Sequence, residues 1–205
     1  MTRREGRYLS GMDVVERYLT EIEIAVRAIA RDDVRAVVEE LFQVWERENT
    51  IFIIGNGGSA STASHMMNDL TKFTAFPGFK RIRAIALTDN VPLMTAYGND
   101  QSYEEIFEEQ LRTLMRAGDV LVAISGSGNS PNVLRAVEYA RAIGARTVGL
   151  CGSPGGMLAA TADVRVVIPA IHIGQQEDGH LILNHAIAMA LRERIGAAAA
   201  LSTTS

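Results

Sequence analysis

The hydrophobic pattern of the chain changes period once, near residue 50. Before that point apolar side chains recur at helical spacing: Met12, Val14, Val15, Tyr18, Leu19 and Ile22, then Ile24, Val26 and Ile29. A second such segment, Val34 to Trp45, follows the break at "RDD". This predicts two long helices ahead of the first strand. Beyond residue 50 short β-rich runs take over, at 51–54 (IFII), 82–87 (IRAIAL), 120–124 (VLVAI), 146–150 (RTVGL) and 164–168 (VRVVI). Segments of helical character separate or follow them, at 59–72, 90–97, 103–116, 131–143, 155–160 and 176–195. Strands alternating with helices form βαβ units with parallel pairing, and near-continuous apolar strands are those covered on both faces. The expected architecture is therefore α/β, a three-layer αβα sandwich around a parallel sheet. The helices of residues 1–48 need a cover for their apolar face, which a second copy of the chain or its own domain can supply.

At 205 residues the chain is expected to form a single domain, with N-terminal helices over 1–48, an α/β core over 49–195 and a flexible tail over 196–205. The formal charge of −4 disfavours a nucleic-acid or anionic-membrane surface. "MTRREGRYLSG" lacks the apolar stretch of a signal peptide, and no apolar run approaches the length of a membrane span. Cys151 is the one cysteine, so no intrachain disulfide can form, and it follows the apolar run TVGL as a strand-end residue. The expectation is a soluble, cytoplasmic protein.

Two loops carry candidate chemistry. Gly55-Asn56-Gly57-Gly58-Ser59 follows the first β run, Ser125-Gly126-Ser127-Gly128-Asn129-Ser130 follows the third, and each opens a helix. Glycines let backbone approach a ligand closely, and a helix N-terminus offers unpaired N–H groups with partial positive charge. Serine hydroxyls add donors, so the device suits an anion, phosphate above all. The plain alternative is two tight turns with Ser59 and Ser130 as N-caps. A nucleotide cofactor is not expected. Neither loop has the lysine of a Walker motif, and Gly55-x-Gly57-x-x-Ala60 lacks the acid about twenty residues on that a dinucleotide site requires. A small phosphorylated metabolite fits better.

Beyond the first loop, His65 and Asp69 stand four apart on one helix face. A second cluster, "QQEDGHLILNH", holds Glu177, Asp178, His180 and His185 near the start of the last helix. Each is unremarkable alone: a surface His–Asp pair, acids in a first helical turn, an inward histidine. Together, two histidines with carboxylates can bind zinc through nitrogen and oxygen, or supply an acid and a base.

With GNGGSA, His65 and Asp69, "YGND", SGSGNS and two histidines five apart, the chain resembles the sugar-isomerase (SIS) domain family, and within it the phosphoheptose isomerases, over residues 12–195. That resemblance implies a five-stranded parallel sheet, a homotetramer with sites near subunit interfaces, and an aldose–ketose isomerase acting on sedoheptulose 7-phosphate and a glycero-manno-heptose 7-phosphate. It implies Asn56, Gly57, Gly58, Ser59, Asn99, Asp100, Ser125, Gly126, Ser127 and Ser130 as substrate contacts. It implies His65, Asp69, Glu177 and His185 as ligands of one Zn²⁺ per subunit, with Asp69 or Glu177 as base, His185 as proton partner and His180 in support. Three positions depart from the family: Asp69 stands for Glu, Glu177 for Gln, and Gly126 for Thr. The rival reading is a non-catalytic SIS-domain scaffold that binds a protein such as a replication initiator. A scaffold has no need of the four metal and catalytic positions.

Overall fold

A computed structural model describes residues 12–202. The "MTRREGRYLSG" stretch and the last three residues of the expected tail lie outside them. Two helices, α1 (Val14–Ala28) and α2 (Arg31–Arg47), precede β1 (Thr50–Gly55). Then come α3 (Gly58–Asn68), β2 (Arg83–Ala86), α4 (Val91–Asp100), α5 (Glu108–Leu114), β3 (Val120–Ser125), α6 (Pro131–Ala142), β4 (Arg146–Gly152), α7 (Gly156–Thr161), β5 (Val164–Ile168) and α8 (Ile173–Ser202). The five strands form one sheet in the order β2-β1-β3-β4-β5, every pair parallel.

Strand alternation sorts the core into two layers. Ile51 and Ile53 of β1 face one side, with Leu41 of α2, Met66 of α3, and Leu183 and Ile187 of α8. Phe52 and Ile54 face the other, with Phe107, Leu111 of α5, Val133 and Val137 of α6, and Leu158 of α7. Both faces of the central strands are buried, which is why those strands read as unbroken apolar runs.

The N-terminal helices divide between the two covers expected for them. Helix α2 buries Val37, Leu41, Phe42 and Trp45 against its own domain. Helix α1 buries only Ala25 and leaves Val14, Val15 and Leu19 exposed. It is tied to the start of α8 by polar contacts, Tyr18 Oη donating to Asp178 at 2.7 Å and Gln175 Nε2 donating to Glu21 at 2.8 Å.

Two expectations are corrected. The tail placed at 196–205 is helical as far as Ser202, because the alanine run of 197–200 is a strong helix former and Ala199 is buried. The helix read over 103–116 spans only Glu108–Leu114, with turn preceding it.

Candidate active site

Both glycine–serine loops lie at the carboxyl ends of their strands, where open α/β sheets bind ligands. In the first, Gly57 takes φ 54° and ψ −122°, a conformation reserved for glycine, and serves as N-cap of α3. Asn56 is held in a reciprocal amide pair with Asn132, 2.9 Å in each direction, and accepts from Tyr103 Oη at 3.1 Å. Asn132 is the second residue of α6, so the first loop is pinned to the helix that the second loop launches. In the second loop the Ser125 hydroxyl accepts from Gly128 N–H at 3.1 Å, and the Ser127 hydroxyl from Asn129 N–H at 3.2 Å.

The N-cap alternative does not hold for either serine. Ser59 is the second residue of α3, and Ser130, at the N-cap position of α6, accepts no capping hydrogen bond. Pro131 opens α6 without an N–H, and the Val133 and Leu134 N–H groups bond Asn132 Oδ1 and the Ser130 carbonyl, so the Ser130 hydroxyl and the Asn132 N–H are the donors offered to an anion there.

The start of α8 is clasped by both loops. A Cβ on Gly126 would meet Ile173 Cδ1 at 2.5 Å and Gln176 Oε1 at 2.8 Å, and one on Gly58 would meet Glu177 Oε1 at 2.4 Å. Glu177 therefore lies against the N-terminus of α3, where the helix dipole favours its charge.

Two turns further along α3 and α8, His65, Asp69 and His185 come together. His65 Nε2 and His185 Nε2 are 3.2 Å apart, and Asp69 Oδ2 lies 3.4 Å from the first and 3.8 Å from the second. All three ligand atoms fall within 4.8 Å of one another. The edges of this triangle match a face of a tetrahedron with metal–ligand bonds of roughly 2.0–2.1 Å, whose edge is about 3.3 Å. Two imidazole nitrogens and a carboxylate oxygen are a zinc-type donor set, and both histidines are half exposed, so further positions are open to solvent or substrate. A cavity of about 390 Å³ lined by Asn68, Lys72, Phe73 and Arg192 opens beside Asp69.

Asp69 is also where α3 widens into a π turn over Asp69–Phe73, its carbonyl accepting from Thr74 N–H five residues on. Thr71 and Thr74 hydroxyls bond back to the carbonyls of Met67 and Leu70, which eases the departure from α geometry. Such turns concentrate at functional sites.

The expected constellation is thus split within one chain. Glu177 belongs with the loops, and the trio stands apart from it. Eight residues carry α8 about 12 Å from Glu177 to His185 and rotate the side chain by about 80°. Asn99 and Asp100 close α4, exposed and paired with each other at 2.7 Å. The loop segment Gly57, Gly58, Ser59 and the segment Ser125, Gly126, Ser127, Ser130 line the strand ends. His180 is fully buried in α8. Neither ring nitrogen meets a partner at hydrogen-bond geometry among the described residues, and burial pulls its pKa down to about 4. Burial likewise pushes the Cys151 thiol up to about 12, in keeping with a structural residue. Sequence reasoning missed Asn132 and Asn184. Asn184 donates to Asp69 Oδ2 at 2.8 Å, and its signal was a lone amide inside the apolar run "LILNHAIAMAL".

Comparison with known proteins agrees with the fold. The family profile described as SIS domain matches residues 16–152. The phosphoheptose isomerase of Geotalea daltonii is 38% identical over 163 residues, 79% of this chain and 84% of the relative. That of Burkholderia pseudomallei is 32% identical over 194 residues, 91% and 94% of the two chains. Among solved structures, phosphoheptose isomerase GmhA from Neisseria gonorrhoeae superimposes with a TM-score of 0.80 at 33% identity, covering 86% of this chain and 96% of that one.

Proposed function

Since this chain belongs to the SIS-domain family, in its phosphoheptose isomerase branch, we propose that it interconverts sedoheptulose 7-phosphate and a glycero-manno-heptose 7-phosphate. The observation that carries the reading is that His185 of α8 meets His65 and Asp69 at the far end of the helix launched by the first phosphate-type loop.

The reaction moves a proton between C1 and C2 of the sugar through an enediol. The Ser125–Ser130 loop holds the phosphate with the Asn132 N–H at the start of α6 and the Ser130 hydroxyl, and that remote binding fixes the reacting carbons. In the metal-free trio Asp69 takes the proton from carbon, and His185 exchanges a proton with the neighbouring oxygen. His65 orients the pair. Glu177 is the alternative base, since its carboxylate stands at the loop end of α3. The trio suits Zn²⁺, which when bound supplies polarisation of the carbonyl and stabilisation of the enediolate. His65, Asp69 and His185 would hold it.

A homotetramer with shared sites is part of the proposal. About 16 Å of helix separates Gly58 from Asp69. An extended seven-carbon phosphate spans about 10 Å from C1 to phosphorus, at about 1.2 Å per backbone bond. The trio of one copy would thus serve the loops of another. Ile182 and Met189 flank His185 on the same face of α8 and are exposed, as are Val14, Val15 and Leu19 of α1. These faces suit burial between copies. No helix among the described residues is long and apolar enough to cross a membrane. We place the enzyme in the cytoplasm, where the lone buried thiol of Cys151 stays reduced.

The test is to incubate the protein with sedoheptulose 7-phosphate in D₂O, with added Zn²⁺ and after chelation, and follow the sugar by proton NMR. Aldoheptose bearing deuterium at C2 is expected. No exchange under any metal condition would exclude this substrate.

A further inference from the structure

One buried amide beneath the trio has no role in packing that an apolar side chain would not fill better. Asn184 is fully buried, and its Oδ1 has no hydrogen-bond partner among the described residues. Such a group is unfavourable in a core unless its other end is needed. That other end, Nδ2, donates to Asp69 Oδ2 at 2.8 Å. The orientation is set by chemistry, since the flipped amide would press its carbonyl oxygen against a carboxylate oxygen.

The oxygen Asn184 grips is the one facing both imidazole nitrogens, at 3.4 and 3.8 Å. Among the described residues the other carboxylate oxygen meets only the amide of the neighbouring Asn68, at 3.3 Å. Asp69 is thus fixed twice. The π turn sets its backbone, and Asn184, reaching from α8, sets its carboxylate. We infer that Asn184 is a positioning residue, whose amide holds Asp69 Oδ2 at the third corner of the triangle it makes with His65 and His185, so that the trio is ready to bind a divalent metal. The consecutive pair Asn184-His185 then lets one stretch of α8 supply a ligand and anchor another. This inference rests on the metal part of the proposed function.

The test is Co²⁺ titration of the full-length protein, read by visible absorption and by competition with a chromophoric chelator, for wild type and Asn184→Leu. Partners that orient metal ligands are worth roughly 10–100-fold in affinity. Asn184→Leu should bind Co²⁺ weaker by that factor while its Tm is unchanged or higher, because an unpaired buried carbonyl has gone. A purely structural amide would do the reverse, lowering Tm and sparing affinity. Asn184→Ala reads the same loss of affinity if leucine does not fit. Wild-type affinity in both variants would overturn the inference and leave the isomerase reading standing. A wild type that binds no Co²⁺ would overturn it together with the metal role. A wild type that binds Co²⁺ tightly but leaves sedoheptulose 7-phosphate unchanged would refute the substrate alone, and the Asn184 variants would still decide the inference.

Discussion

The first strand-end loop and the histidine–aspartate trio share α3, and α8 packs against both loops and completes the trio, yet loops and trio are made of different material. The loops are backbone: Gly57 at positive φ, the Asn132 N–H at the start of α6, and glycines at 58 and 126 against which Glu177 and Gln176 pack. The trio is side chain only. It spans 120 residues of sequence between His65 and His185, and both histidines face solvent. A backbone site resists substitution through strain and fit. A side-chain site on an exposed helix face resists it through chemistry alone. Variants in the two regions should therefore fail in different ways.

The largest effect belongs to the trio. Asp69→Asn and His185→Ala should each lower turnover by roughly 10²–10⁴-fold, the usual worth of a positioned acid or base. His185 is half exposed, so its loss should move folding stability by no more than about 0.5 kcal/mol, measurable by urea denaturation. Near-normal turnover in both would remove the trio from the chemistry and promote Glu177, which Glu177→Gln would then test.

Next comes the link between the regions. Ser127 is exposed in the phosphate loop, so Ser127→Glu places like charge where the phosphate should sit. That variant and His185→Ala should each be silent alone. Co-expressed, they should regain activity if loops and trio from different copies form one site. A mixture that stays silent would put the whole site within one chain.

His180 sharpens the comparison within a single helix. It stands five residues from His185 but on the buried face, and burial pulls its pKa to about 4 from an ordinary 6.5. In that interval the unfolded chain takes up a proton that the folded one refuses. The sign is then fixed: the stability is fully present above pH 6.5 and is lost as pH falls to 4. The loss should be about 3 kcal/mol at most. Denaturation at several pH values should show this dependence in the wild type and not in His180→Leu.

How much of this was legible in sequence follows the same division. The five strands and both loops could be read because periodicity and glycine content are local. Glu177 and His185 could be named, but their grouping with His65 and Asp69 into one cluster could not be tested by spacing. Which turn of α8 meets which turn of α3 depends on packing through Met66, Leu183 and Ile187. The π turn at Asp69 has no sequence period, and Asn184 finds its partner 115 residues away. Ser130 looked like a cap, yet its hydroxyl makes no capping hydrogen bond.

Among loop variants, Gly57→Ala isolates strain. A Cβ there meets nothing within 4 Å, so the change costs only the φ of 54°, about 1–3 kcal/mol. It should weaken sugar-phosphate binding by distorting the start of α3.

The smallest effect tests the opposite case, fit without strain. Gly126 occupies a position where the family resemblance expects threonine. The structure supplies a local reason: a Cβ there would come within 2.5 Å of Ile173 Cδ1 and 2.8 Å of Gln176 Oε1. Both obstructing atoms are the ends of flexible side chains, so they can yield. Gly126→Thr should therefore cost only about 1 kcal/mol, the low end of overpacking, in urea denaturation. Gln176 is the less free of the two, because it is buried and donates to the Ala170 carbonyl at 2.9 Å. Ile173 is half exposed, so Ile173→Ala should recover part of the loss in the Gly126→Thr background and change little alone. Equal cost with and without Ile173→Ala would mean that Gln176, not Ile173, sets the width of the loop.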